Sequence, residues 1–183
     1  MPITPVSDLR SFFANAVDRA VERCRVALEP AECRHLATVL ADGSNGRGQG
    51  DSIVVELERT LDLSQELQLA PLVALGDRAL FLSGFVGRES DDAVCRRCGP
   101  FAYARASTIT RDDTTSALYA GMAQRFDVMT HVLAEVAVAQ SLGAETRDLV
   151  RIYDAWKRSK SPSALDAMAR EGVFPHEDGE AEA

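Results

Sequence analysis

From Ser7 to Cys24 the apolar residues fall at steps of three and four: Leu9, Phe12, Phe13, Ala16, Val17, Ala20, Val21 and Cys24. Asp18, Arg19, Glu22 and Arg23 take the intervening positions, with Arg25 just beyond. A period near 3.6 places the apolar set on one stripe of an α-helix, which needs a partner surface to be stable. Ser7 suits the N-cap, and Asp8 the positive end of the helix dipole. The pattern returns along the chain, and no segment makes a convincing strand. The expectation is an all-α single-domain bundle of seven or eight helices over residues 1–175, with residues 176–183 as a disordered acidic tail.

Pro30 can open a second helix, with Cys33, Leu36, Ala37 and Leu40 as its stripe, ending at Asp42-Gly43. The glycine-rich run from Gly43 to Gly50 reads as a flexible connector. A third helix is expected over Ser52–Thr60 and a fourth over about Gln65–Ser83. Proline inside a helix costs about 3 kcal/mol, so Pro71 is an alternative start for the fourth. Gly84–Asp92 reads as a loop, and Ala93–Ser107 as a helix broken or kinked at Gly99-Pro100. A long helix is expected over Thr114–Ser141, where Leu118, Met122, Phe126, Met129, Leu133 and Val136 alternate steps of four and three. Gly143 would end it. The next helix, Glu145–Arg158, places Leu149, Ile152, Tyr153 and Trp156 on one side. Ser161-Pro162 begins a last short helix ending at Gly172.

Composition narrows the classes of function. A hydrophobic fraction of 46% and a charged fraction of 26% are those of a globular chain. The net charge is −8, but Glu177, Asp178, Glu180 and Glu182 lie in the last eight residues, leaving 24 acidic residues against 20 basic ones elsewhere. A polyanion partner would need a local basic patch. The cluster Lys157, Arg158 and Lys160 beside Trp156 sits at a helix C-terminus, where the dipole already explains it. No nucleic-acid partner is therefore expected. Met1-Pro2-Ile3-Thr4 lacks the pattern of a secretory signal, and Leu69–Leu75 and Ala79–Val86 read as too short and interrupted to span a bilayer. The expectation is a cytoplasmic protein with no membrane partner, whose four cysteines are reduced thiols.

Three stretches carry a resemblance: residues 75–85 (LGDRALFLSGF), Ala102-Tyr103-Ala104-Arg105, and residues 149–156 (LVRIYDAW). With the opening helix and Phe126–Val136, they resemble a group of helical bacterial proteins from GC-rich, myxobacteria-like genomes. That group has no assigned activity, so the resemblance implies a compact bacterial fold and no mechanism. The group tends to carry a tyrosine-rich, glycine-containing helix where this chain has Val94-Cys95-Arg96-Arg97-Cys98-Gly99-Pro100.

Cys95-x-x-Cys98 is the most chemical-looking motif, since two thiolates at this spacing can clasp a metal or work as a redox pair. A closed zinc site would draw further ligands from Cys24, Cys33 or His35. Against it, Cys24 and Cys33 fall on apolar stripes, where cysteine acts as a small hydrophobe, and a redox site lacks its βαβ context. Ordinary thiols are the preferred reading, and no cofactor is expected.

Glu32-x-x-His35 is half of a di-iron ligand pattern whose second copy is missing. Asp127, His131 and Glu135, at four-residue spacing, could align as acid, base and carboxylate, but a solvated face is the better reading. The Gly43–Gly50 run lacks the context of a phosphate loop. Asp77, in an apolar region, needs partners if buried, and Arg78, Tyr103 and Arg105 are the candidates for a buried polar network. A small-molecule pocket near Asp77, Tyr103 and Tyr153 is the alternative.

No complete catalytic constellation emerges. The leading expectation is a non-enzymatic helical protein that acts by binding a protein partner, as a homo-oligomer or an accessory subunit. The alternative is a metal-binding or redox protein using Cys95 and Cys98.

Overall fold

A computed structural model describes residues 6–47, 50–87, 89–142 and 149–174. Among these the fold is all-α, with nine helices and no strand. They are α1 (Val6–Cys24), α2 (Pro30–Asp42), α3 (Ile53–Leu61), α4 (Gln65–Leu80), α5 (Glu89–Ile109), α6 (Asp113–Gln124), α7 (Phe126–Leu142), α8 (Leu149–Ser159) and α9 (Pro162–Arg170).

Four features depart from expectation. Pro71 neither starts nor breaks α4 but lies within it. α5 likewise runs unbroken through Gly99-Pro100. Its Gly99 faces the Phe126 ring so closely that a Cβ there would strike it, so this glycine serves packing. The expected loops shrink, because Gly43–Arg47 and Phe81–Val86 continue α2 and α4 as wider helical turns. The second ends where the Gly87 N–H bonds the Leu82 carbonyl at 3.0 Å, an i→i+5 spacing, with Gly87 left-handed at φ 64°.

The fourth departure is the long helix, which divides at Arg125 (φ −105°, ψ 21°). The Arg125 N–H still bonds the Gly121 carbonyl and the Met129 N–H still bonds the Arg125 carbonyl, so Arg125 keeps helical bonds on both sides of the bend. The apolar spacing is the same on both sides of the bend, which is why periodicity alone reads one helix. Ser7 lies inside α1 rather than capping it. Gly143, Glu145 and residues 175–183 lie outside the described residues.

The continuous helical stretch Gln65–Val86 is 22 residues long, and its most apolar 18 residues have a mean hydropathy of 1.5. That is long and apolar enough to cross a membrane, contrary to the sequence reading. In this fold it is a core element: Leu72, Leu75, Ala79 and Leu80 are buried, and α5 and α7 pack along it.

The main core gathers Phe13, Val17, Leu36, Leu40, Tyr103, Phe126, Met129 and Leu133 with their neighbours. A smaller cluster of Val138, Ile152, Trp156, Ala164 and Met168 joins the end of α7 to α8 and α9. Leu149 and Tyr153, expected on the buried side of α8, are exposed.

Candidate functional site

Asp77 on α4 is the meeting point of three helices. Its Oδ1 accepts the Tyr103 hydroxyl from α5 at 2.6 Å and lies 2.6 Å from His35 Nε2 on α2. Gly76 makes this approach possible, since a Cβ there would stand 2.8 Å from the Tyr103 ring. Tyr119 of α6 stacks on Tyr103 at 6.3 Å, and the His35 ring stands edge-on to both. Burial, then the Asp77 charge, pushes the Tyr103 hydroxyl well above the usual tyrosine range, and the same causes raise Tyr119. Tyr103 is therefore a neutral donor to Asp77.

Of the four residues expected in a polar network, Asp77 and Tyr103 meet. Arg78 instead pairs with Glu56 of α3 at 2.5 Å and donates to the Asp51 carbonyl. Arg105 is exposed on α5. His35 enters the network although the sequence reading assigned it to a metal set, and Tyr119 had no local signal at all. Tyr153 packs on Trp156 at 5.9 Å in the smaller cluster's helix pair, so the pocket imagined with Asp77 and Tyr103 does not gather there.

The proposed metal ligands are not brought together. Among the described residues no three His, Cys, Asp or Glu side chains converge to hold a metal ion. None of the four cysteines is in a disulfide, and Cys95 is buried in the main core. Burial, then the nearby Glu135 carboxylate, pushes the Cys24 thiol up to about 11, and burial raises Cys33 and Cys98. A raised thiol is the opposite of the lowered one that an activated nucleophile requires.

Two carboxylates that the sequence reading treated otherwise are buried. Glu32 does not face a di-iron site: it accepts from Arg125 across the bundle and from the Glu29 N–H at 2.9 Å. Glu135 does not belong to a solvated face. It is fully buried and accepts from the Ser161 and Ser163 hydroxyls, with Arg23 3.4 Å away. Asp127 is exposed and pairs with Arg96, so the Asp127–His131–Glu135 line does not act as a unit.

Several apolar side chains of α3 and the start of α4 are exposed among charged ones. Ile53 and Thr60, seven residues apart, face inward, while Val54 and Leu61 form a parallel outer row. Beyond α3, Leu63 and Leu67 are exposed as well, Leu67 by 63%. Beside this row lies a shallow groove of about 440 Å³ lined by Leu63, Pro71, Ala74 and Arg78, among others.

Comparisons with family models, curated proteins and solved structures return no match.

Proposed function

We propose that this chain is a non-enzymatic helical binding protein that engages a protein partner through α3 and the first turns of α4, a second copy being the simplest partner. The observation that carries the reading is the exposure of Val54, Leu61, Leu63 and Leu67 within one short stretch of chain. Single exposed apolar residues are ordinary, but a grouped set rimmed by polar residues marks an interaction surface. The rim is present in the Arg59–Asp51 and Arg78–Glu56 pairs. The polar centre at Asp77 is read as the fastening of α2, α4 and α5 behind that surface.

Light scattering across a concentration series tests this, with the double variant Leu61→Lys, Leu67→Lys beside the parent chain. The parent should associate and the variant should remain monomeric with an unchanged helical spectrum. A parent that is monomeric throughout and recovers no stable partner in a pull-down would sink the proposal.

A further inference from the structure

A cleft of about 780 Å³ opens between the wide turn 81–86, the start of α5, α7 and α8. That volume suits a small ligand, whose sites run to about 300–1,000 Å³. Its apolar lining combines Ala134, Ala137, Val138 and Ala155 of α7 and α8 with Phe85 and Val86 of the wide turn. Gly84 lets the wide turn lie directly on α7, because a Cβ there would stand 2.7 Å from Leu133 Cβ. Such i→i+5 turns are rare and frequent at functional sites.

The polar groups of the cleft divide into engaged and free. Asp92 Oδ2 and Asp127 Oδ1 share Arg96, at 2.8 and 2.6 Å, while Asp92 Oδ1 stays buried with no hydrogen-bond partner. Arg158 reaches only the Asp154 carbonyl, at 3.3 Å, and meets no carboxylate among the described residues. His131 has no hydrogen-bond partner among them. The unspent donors are thus a guanidinium, which matches a planar oxyanion, and an imidazole, which offers an N–H in either protonation state.

We propose that this cleft binds a small organic monocarboxylate, its oxyanion held by Arg158 and His131 and its aliphatic body against the apolar lining. A single negative charge fits better than a phosphate dianion, because Asp92 and Asp127 stand on the same rim. A second cleft, of about 860 Å³ between α1, α7, α8 and α9, is lined by Arg19, Arg23 and Arg170 together with Asp166 and Glu171. There Arg23 is tied to Glu135 and Ser163, and Arg19 donates to the Asn15 carbonyl at 3.1 Å.

Trp156, the chain's one tryptophan, lies on α8 next to the cleft residue Ala155 and reports on binding. Octanoate titrated into the full chain, followed by Trp156 emission and calorimetry, should bind saturably at one site. Arg158→Gln, at an exposed position, should weaken it about tenfold or more, the scale of one charge-assisted contact. Ala137→Leu, which adds bulk to that lining, should do the same, while Arg19→Gln in the other cleft should change nothing. Octylamine should fail to bind, and octyl phosphate should bind more weakly. The proposal is overturned by absence of saturable binding, by octylamine or octyl phosphate matching octanoate, by a loss on Arg19→Gln equal to that on Arg158→Gln, or by an unchanged affinity in Arg158→Gln. Because Arg158→Gln alone can decide the matter, a failure of Ala137→Leu to fold leaves the test intact.

Discussion

Tyr103 and His35 converge on one oxygen, Asp77 Oδ1, each at 2.6 Å. They reach it from α2 and α5 with their rings 6.2 Å apart, so the carboxylate ties both helices to α4. The two ends differ in burial: Tyr103 is fully enclosed, while Asp77 keeps 31% of its side chain exposed. Tyr103→Phe leaves Asp77 with His35 and with solvent, and should cost about 1 kcal/mol. Asp77→Ala leaves the enclosed hydroxyl with no acceptor and should cost more, about 1–3 kcal/mol. Urea unfolding of the two variants checks the order; equal costs would mean that the hydroxyl finds another acceptor.

The same enclosure makes stability depend on alkaline pH. Folding raises the Tyr103 pKa above its ordinary value of 10.0, so the folded state holds a proton that the unfolded chain gives up first. The stabilisation is complete below about pH 10 and is lost as pH rises beyond it. Cys24, raised from 9.0 to about 11, adds a decline that starts lower, from about pH 9. Unfolding midpoints measured from about pH 8 to about pH 11 should fall, and should fall less steeply in Tyr103→Phe. A parent and a variant with parallel profiles would contradict this.

Two glycines make opposite demands. Gly76→Ala would force a Cβ to within 2.8 Å of the enclosed Tyr103 ring, where neither helix can retreat without breaking the Asp77 contacts. Overpacking of this kind costs about 1–3 kcal/mol. Gly87→Ala meets no atom within 4 Å, but its φ of 64° is left-handed, which costs a non-glycine residue about 1–2 kcal/mol. Thermal unfolding should show both losses. Gly87→Asn should recover much of the second, since asparagine tolerates that conformation, while Gly76→Asn should be worse than Gly76→Ala.

Helix existence was legible because an apolar stripe is a local signal. Val17, Leu36, Leu72 and Met129 lie in the core where their spacing puts them. What periodicity could not reveal is where a polar residue is buried, because the reason lies far along the chain. Glu135 is enclosed on account of Ser161 and Ser163, 26 and 28 residues later, and Glu32 on account of Arg125, 93 residues later. Read alone, each is an acid on a helix, and the default for an acid is solvent. His35 illustrates the same limit at the candidate site, since its partner Asp77 is 42 residues away and no local pattern links them. The bend at Arg125 was hidden for a related reason: its apolar neighbours keep their spacing while the arginine side chain leaves to meet Glu32.

The Glu32–Arg125 pair separates the value of an ion pair from the cost of breaking it. Glu32 is almost wholly enclosed, with 2% of its side chain exposed, while Arg125 is 38% exposed. Arg125→Met strands a carboxylate in the core, leaving the Glu29 N–H as its remaining partner. Fully buried pairs broken from one side lose about 3–5 kcal/mol. The partial exposure of Arg125 lowers the expectation to about 2–3 kcal/mol, because water can enter where the guanidinium was. Glu32→Leu with Arg125→Met removes both charges, and Gly121, which a Cβ would bring within 2.5 Å of Glu32 Oε1, keeps space open for the leucine. The double variant should therefore be more stable than Arg125→Met alone, short of the parent by about the 1 kcal/mol of the lost Glu29 cap. Urea unfolding of the parent, both single variants and the double variant measures the coupling directly. A double variant no more stable than Arg125→Met would mean that the pair holds the bend at Arg125 itself, rather than merely neutralising a charge that the fold encloses.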